Sequence, residues 1–346
     1  MHIICNVLNA LVLATVATAS SSGCGVAPPI PLGQRHNATL SSADLAINNR
    51  TFMYWLPPNY NPAKPNPLIL SFHGGGVNGD RQADQDSFAD PFFNQDHVVV
   101  YPQGLVAGAA GVEPITVWQG IRLLPCYWDD VAFVLALLDH LERELLCIDP
   151  TRVYAAGKSM GGGLSDILAC DARSSARFAA IAPVAGSYWA RLDPRLCSTP
   201  DSAAAVPVPA CPGKRACPMP VMAFHGRNDT TAPIGGGPIT GLDCMPPVQR
   251  WVETWAARDG LDPSSPSAEK LPSGDNATVY RYGRGDDGGE EKGLVTFVMP
   301  GDHVAHDWPT TVDYGGTQRV LEPGQGPANF NGTAMIMDFF RKYKTP

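Results

Sequence analysis

Residues 157–163 read Gly-Lys-Ser-Met-Gly-Gly-Gly, and they decide how the rest of the chain is interpreted. The run Val-Tyr-Ala-Ala comes directly before them, and apolar residues follow at helical spacing from Leu164 onward. A Gly-x-Ser-x-Gly between a strand and a helix predicts a turn so sharp that side chains at 157 and 161 would collide with backbone. Such a turn lifts the hydroxyl of Ser159 above the sheet and aims the helix N-terminus at it. We therefore expect Ser159 to be a nucleophile.

Strand and helix patterns alternate along the chain. Strands are predicted for short apolar runs bounded by Gly, Pro or Asn: residues 52–56, 68–72, 98–101, 153–156, 179–184, 221–224, 279–282 and 294–299. Amphipathic helices are predicted over residues 130–146, 248–257 and 334–343. The alternation indicates a mostly parallel central sheet with helices on both faces. With the turn at Ser159, it predicts an α/β-hydrolase fold.

A serine nucleophile needs a general base and a carboxylate that orients the base, each placed after a strand of its own. Asp229 lies in the loop after the strand 221–224, where the carboxylate is expected; an ordinary Asx turn is the alternative. The loop after the strand 294–299 contains both His303 and His306, and position alone does not choose between them. Their spacing with flanking Asp also resembles a metal site, but the sequence offers no further ligand cluster.

The oxyanion formed in such a reaction needs two backbone N–H donors. Met160, directly after the nucleophile, is expected to supply one. Gly74 or Gly75 is expected to supply the other, because they follow an early strand in the sequence His73-Gly74-Gly75-Gly76. His73 and His225 are expected to be structural residues. The resulting reaction is ester hydrolysis through an acyl-enzyme, for which we expect no metal ion and no other cofactor.

Export is predicted from three features. Residues 1–19 have the pattern of a signal peptide, and the apolar stretch is too short to span a bilayer comfortably as an anchor. The even number of cysteines after the signal peptide predicts four disulfides, with Cys211–Cys217 as the pair that is close in sequence. These cysteines are Cys24, Cys126, Cys147, Cys170, Cys197, Cys211, Cys217 and Cys244. Glycosylation sequons are headed by Asn37, Asn49, Asn276 and Asn331, and by Asn228, which is less favoured because Asp229 follows it.

The net charge and the lengths of the apolar segments limit the possible functions. A net charge of −8 without a basic block argues against nucleic acid as a partner, and no later segment is long enough to cross a membrane. Residues 20–346 are expected to form a single domain. Residues 193–219, rich in Pro and Cys, indicate an inserted loop held by disulfides. Residues 283–293, rich in Gly and acidic residues, do not match an EF-hand and indicate a solvated turn.

Several motifs together resemble the secreted feruloyl esterases of fungi, the type C and D group related to polyhydroxybutyrate-depolymerase-like esterases. They include Ser-Gly-Cys-Gly at 22–25, Tyr-Pro-Gln-Gly at 101–104 and Trp-Gln-Gly at 118–120. Asp-Asp-Val-Ala-Phe at 129–133, the run 147–159, His-Asp-Trp-Pro at 306–309 and Asp-Phe-Phe at 338–340 complete the set. The resemblance extends over nearly the whole chain after the signal peptide.

The resemblance implies that His306, which precedes x-Trp-Pro, is the base. It also implies hydrolysis of cinnamoyl esters, such as ferulate attached to plant cell-wall xylan, or of small esters. Met160 departs from the Asn that the family often has there, and His73–Gly76 departs from its usual oxyanion loop. Stacking on a feruloyl ring is expected from among Trp118, Trp128, Trp189 and Trp308.

Four alternatives remain open. An acetylxylan esterase or a polyester depolymerase would use the same three catalytic residues. A catalytically silent carbohydrate-binding protein on a hydrolase scaffold would have no chemical need for them. A serine peptidase of this fold usually has an additional lid or propeller domain, for which the sequence gives no sign.

Overall fold

A computed structural model of the chain describes residues 21–42, 45, 48–108, 114–121, 124, 128–213, 218–239, 241, 243–272, 276–283, 293–311 and 328–346. The proposed signal peptide, Cys126, Cys217 and most of the acidic turn at 283–293 lie outside these residues. Among the described residues, no helix is both long and apolar enough to cross a membrane.

The described residues contain one large sheet and two small antiparallel hairpins. The large sheet has the order β1-β2-β4-β3-β7-β8-β9-β14-β13-β12, and its strands from β4 to β14 run parallel. The strands are β1 (Arg35–Leu40), β2 (Arg50–Trp55), β3 (Asn66–Phe72), β4 (Val98–Pro102), β5 (Leu105–Ala107), β6 (Ile115–Val117), β7 (Ile148–Lys158), β8 (Ala180–Val184), β9 (Val221–Phe224), β10 (Gly237–Ile239), β11 (Asp243–Met245), β12 (Ser267–Lys270), β13 (Thr278–Tyr282) and β14 (Val295–Met299).

Helices cover both faces of the large sheet. They are α1 (Gly79–Asp86), α2 (Asp130–His140), α3 (Met160–Cys170), α4 (Pro200–Ala204), α5 (Val248–Arg258) and α6 (Gly332–Phe340). The expected helix over 130–146 is α2 followed by a π-helical turn at Leu141–Leu145. Short 3₁₀ turns occur at Ser175–Arg177 and Pro194–Cys197. The mostly parallel sheet with helices on both faces confirms the predicted fold class.

The side chains of the central strands alternate between two hydrophobic cores, because successive residues of a strand point to opposite faces. Leu68, Leu70 and Phe72 of β3 pack into the larger core with α2, α3 and α5. Ile69 points the other way and packs into the smaller core with α6. All four side chains are fully buried. This double burial explains why the central strands read as continuous apolar runs.

Disulfides link segments of the described chain that are far apart in sequence. Within the described residues they join Cys24 to Cys147, Cys170 to Cys211 and Cys197 to Cys244. The expected pair Cys211–Cys217 is therefore wrong, because Cys211 reaches back to the end of α3. The two disulfides at Cys197 and Cys211 do hold the Pro-rich loop, as the sequence predicts. By restricting the unfolded chain over loops of 41 to 123 residues, such links favour the folded state.

Candidate active site

The turn at Ser159 has the strained geometry that its sequence predicts. Ser159 joins β7 to α3 with φ 55° and ψ −119°, in a region that non-glycine residues rarely adopt. A Cβ atom at Gly157 would lie 2.5 Å from the carbonyl carbon of Gly161 and 2.7 Å from the carbonyl oxygen of Phe72. A Cβ atom at Gly161 would overlap the Phe72 carbonyl. Only glycine fits at both positions, so the turn holds Ser159 at the carboxyl edge of the sheet.

The glycine loop after β3 lies directly against this turn. A Cβ atom at Gly74 would be 3.4 Å from Cβ of Ser159, and one at Gly75 would be 2.9 Å from Sδ and Cε of Met160. Met160 is the first residue of α3, where a backbone N–H has no partner within the helix. The expected oxyanion donors thus belong to neighbouring segments next to Ser159.

His73 holds the glycine loop in place. Its Nδ1 donates a hydrogen bond to the carbonyl oxygen of Gly74 at 2.7 Å, and its Nε2 accepts one from the N–H of Gly104 at 2.9 Å. Burial lowers the pKa of His73 to about 4, so the ring is neutral at neutral pH. The indole N–H of Trp118 donates to the His73 carbonyl at 2.8 Å. His73 is therefore a structural residue beneath the loop, as expected.

Asp229 makes both the Asx turn and the histidine contact that the sequence offered as alternatives. Its Oδ1 accepts the N–H groups of Thr231 at 3.0 Å and Ala232 at 2.7 Å. Its Oδ2 accepts a hydrogen bond from Nδ1 of His306 at 2.7 Å, and Nε2 of His225 lies 3.2 Å from the same oxygen. Burial opposes ionisation, but the hydrogen bonds and charges of His225 and His306 hold the Asp229 pKa well below its usual range. Asp229 is therefore an ionised, fixed acceptor.

His306 is the histidine that meets the carboxylate. It follows β14 and is 5 % exposed, whereas His303 is half-buried in the same loop. Because Nδ1 of His306 faces Asp229, Nε2 is the nitrogen left for a serine hydroxyl. Burial lowers the pKa of His306, and Asp229 opposes this shift. A neutral imidazole with an oriented proton is the form that a general base requires.

The loop after β9, residues 225–232, and the loop after β14, residues 300–309, pack closely together; we call them the acid loop and the base loop after the expected roles of Asp229 and His306. A Cβ atom at Gly226 would overlap the carbonyl oxygens of Val304 and Ala305. Gly226 therefore permits the contact that brings Asp229 to His306. The dipeptide His225-Gly226 after β9 can be read from the sequence, but the contact of Gly226 with Val304 and Ala305 cannot. The described residues contain no group of three or more His, Cys, Asp or Glu side chains placed to hold a metal ion.

The four candidate tryptophans fall into two groups. Trp118 is fully buried against Phe72 and His73, and Trp308 is 1 % exposed with its indole N–H bonded to Thr333. Packing accounts for the positions of both side chains, and their contact with a substrate stays a prediction. Trp189 and Trp128 each have a buried indole nitrogen without a hydrogen-bond partner.

Trp189 packs against the start of α3, next to the turn at Ser159. A Cβ atom at Gly163, in the first turn of α3, would lie 3.5 Å from its indole nitrogen. A Cβ atom at Gly120 would lie 2.7 Å from Cδ1 of the same ring. Substrate contact by Trp128 or Trp189 remains a prediction.

The sequons differ in accessibility. Asn37, Asn49 and Asn276 are exposed, as is Asn228. Asn331 is partly buried and caps α6 with its side-chain oxygen. The exposed positions satisfy the first requirement of a glycan acceptor, whereas a glycan on Asn331 would have to leave the cap in place.

Comparison with known proteins supports the resemblance. No family model matches the chain. Feruloyl esterase C of Emericella nidulans is 29 % identical over 225 residues, which cover 63 % of this chain and 66 % of the relative. A probable feruloyl esterase C of Aspergillus niger is 27 % identical over 270 residues, covering 76 % and 77 %. Feruloyl esterase D of Neurospora crassa is 29 % identical over 185 residues, covering 50 % and 56 %.

The fold also matches a solved structure. The acetyl xylan esterase of Aspergillus awamori aligns over 82 % of this chain and 98 % of its own, with a TM-score of 0.53 and 14 % sequence identity. At this identity the likeness establishes the shared α/β-hydrolase architecture. The chain is thus similar in sequence to fungal feruloyl esterases of types C and D, as its sequence motifs indicate.

Proposed function

We propose that this chain is a serine carboxylesterase that uses Ser159, Asp229 and His306. The observation that carries the proposal is the 2.7 Å hydrogen bond between Asp229 and His306, at the sheet edge where the strained turn presents Ser159. Ser159, Asp229 and His306 follow the carboxyl ends of the parallel strands β7, β9 and β14, respectively. Loops at that edge of an α/β sheet are where ligands ordinarily bind.

The mechanism follows from these positions. Nε2 of His306 takes the proton of Ser159 as the hydroxyl oxygen attacks the ester carbonyl. Asp229 fixes the Nδ1–H tautomer and stabilises the imidazolium that forms. The backbone N–H of Met160 and that of Gly74 or Gly75 stabilise the oxyanion. The imidazolium then protonates the departing alcohol, and water repeats the attack on the acyl-enzyme with His306 again as base.

The substrate class that we propose is feruloyl and related hydroxycinnamoyl esters of plant cell-wall polysaccharide. The names of the relatives support it, and so do the motifs shared with that group. Trp128 and Trp189 are the aromatic side chains that we propose for contact with the acyl ring. Their indole N–H groups have no hydrogen-bond partner but are buried, so a polar group of the substrate would reach them only after neighbouring side chains move.

The proposal also includes export and glycosylation. Cross-linking of three cysteine pairs is typical of an oxidising compartment, and exposed sequons at Asn37, Asn49 and Asn276 suit passage through a secretory route. We further propose that residues 20–346 form one esterase domain after removal of residues 1–19. N-terminal sequencing of secreted protein would test the cleavage site, and intact mass before and after glycosidase treatment would test the glycans.

A substrate panel tests the acyl preference. Purified protein is compared on methyl ferulate, p-nitrophenyl acetate and a polyester film, with Ser159→Ala as the control for background hydrolysis. We expect methyl ferulate to be cleaved with the highest kcat/KM. Efficient acetyl or polyester hydrolysis beside negligible cinnamoyl hydrolysis would reject the feruloyl assignment while retaining the serine esterase.

A further inference from the structure

Lys158 is a buried charge beside the nucleophile that the proposed reaction leaves unused. It is the last residue of β7, directly before Ser159, and is 6 % exposed. An ammonium group removed from water needs a compensating charge. Nζ of Lys158 lies 4.0 Å from Oδ1 of Asp307, whose side chain is 13 % exposed. The two groups form a largely buried ion pair.

The ion pair joins the two loops that must cooperate in catalysis. Lys158 immediately precedes Ser159, and Asp307 immediately follows His306. The carboxylate of Asp307 is itself fixed, because its Oδ1 accepts the N–H of Trp308 at 2.8 Å. Trp308 is anchored in the core by its indole hydrogen bond to Thr333. The pair therefore connects a rigid point of the base loop to the residue next to the nucleophile.

We infer that Lys158 is a positioning residue: its ion pair with Asp307 holds the base loop against the turn at Ser159 and so fixes the orientation of His306. This inference rests on the proposed function and deepens it. Lys158 contacts neither the substrate nor the reacting atoms in this account. It acts through the orientation and the protonation state of His306.

The charged and titratable groups around His306 determine in which direction its pKa should change when the charge of Lys158 is removed. Asp229 and His225 face it from the acid loop, Lys158 from the end of β7, and Asp307 adjoins it in its own loop. Burial lowers the pKa of His306 most, Asp229 raises it, and Lys158 and His225 lower it further. Removal of the Lys158 charge should therefore raise the pKa of the base.

The test is the pH dependence of kcat/KM on p-nitrophenyl acetate, an activated ester that does not depend on the acyl preference. For Lys158→Met, we expect the acid limb to move to higher pH by roughly half a unit to one unit. We also expect kcat to fall about tenfold to a hundredfold, as it does when a general base is slightly displaced. Lys158→Arg should retain the wild-type acid limb. Lys342→Met, which removes one exposed lysine charge beyond α6, is the matched control and should leave both quantities unchanged.

Asp307→Asn provides a second variant that does not depend on whether Lys158→Met folds. It breaks the pair but leaves the ammonium near His306, so kcat should fall without an upward shift of the acid limb. The inference is overturned if folded Lys158→Met has the wild-type acid limb, or if Asp307→Asn shifts it upward as far as Lys158→Met is expected to. A wild-type protein that hydrolyses no ester would reject the proposed function itself, and this inference with it.

Discussion

Asp229 and Asp86 are both buried carboxylates with several hydrogen-bond donors, yet their pKa values move in opposite directions. Asp86, the last residue of α1, is fully buried and accepts hydrogen bonds from Ser71, Gln82 and Tyr101 and from the N–H of Phe88. Burial raises its pKa to about 6 despite these bonds. The pKa of Asp229 is lowered instead.

The difference lies in the charge that the partners can carry. The donors to Asp86 are neutral hydroxyl, amide and backbone groups, which only partly replace water. Asp229 faces two imidazoles, His306 and His225, each of which favours the carboxylate most when it becomes positive. The site is therefore built to stabilise an imidazolium, whereas the Asp86 cluster is built to bury a carboxyl group. The following predictions test this contrast.

The largest effect on kcat is expected from replacing the proposed base, His306. His306→Ala should lower kcat by about 10⁵-fold or more, because the proton of Ser159 then has no acceptor. His303→Ala, in the same loop, is the matched control and should retain most of the activity. Steady-state kinetics on p-nitrophenyl acetate measure both. Equal losses, or an inactive His303→Ala beside an active His306→Ala, would show that Asp229 is paired with a structural histidine.

Asp229→Asn should lower kcat by about 10⁴-fold, because an amide no longer fixes the tautomer or stabilises the imidazolium. Asp86→Asn makes the same chemical change at the other buried carboxylate and should leave kcat within a few-fold of wild type. A similar loss in both variants would contradict the distinction between them.

His225 should contribute less than His306 to the same carboxylate. His225→Leu removes a donor that lies 3.2 Å from Asp229 while its Nε2 also lies 2.7 Å from the carbonyl oxygen of Ala232. A hydrogen bond to a charged group corresponds to about 10- to 100-fold in an equilibrium, and we expect a loss of kcat/KM in that range. A loss as large as that of His306→Ala would mean that His225 takes part in proton transfer.

The smallest effect on activity, and the clearest on stability, concerns Asp86. Its folded pKa of about 6 is raised above the ordinary 3.8, so its contribution to stability is fully present below 3.8 and is lost as the pH rises through 6. Asp86→Asn has no such loss, so from pH 4 to pH 7 its free energy of unfolding should rise relative to that of wild type by about 2 kcal/mol. Urea unfolding across this range measures the difference.

The pH dependence of the stability that Asp229 contributes should have the opposite sign. Its lowered pKa contributes stability that is present above the ordinary 3.8 and is lost as the pH falls toward the folded value. Asp229→Asn should therefore lose stability relative to wild type at neutral pH and approach it in acid. Parallel slopes for the two Asn variants would overturn the comparison.

The sequence predicts the centre of this fold much better than its edges. The six parallel strands of the large sheet are buried on both faces over most of their length, so each contains an apolar run that the sequence locates; β7 (Ile148–Lys158) begins five residues before its predicted start, because most of its first residues are polar and only partly buried. β1 and β12 are exposed edge strands with the polar sequences RHNATL and SAEK, and α1 reads GDRQADQD. Nothing in their local pattern distinguishes them from loops, because tertiary contacts rather than periodicity stabilise them.

The site shows the same division. The glycines around Ser159 are required by the turn itself, and Asp229 follows a strong strand, so both could be located from local sequence. The choice of His306 over His303 depends on which ring reaches Asp229, and only shared motifs favoured one of them. The pairing of Cys211 with Cys170, and the burial of Trp118 and Trp308, depend on contacts between distant segments that spacing does not encode.

Covalent labelling of Ser159 tests the central claim most directly. Folded protein is treated with a fluorophosphonate, and the site of modification is located by peptide mass spectrometry, with Ser159→Ala as the control. The account predicts a single adduct on the peptide that contains Ser159 and none in the variant. An unlabelled folded protein, or an adduct that persists in Ser159→Ala, would contradict it.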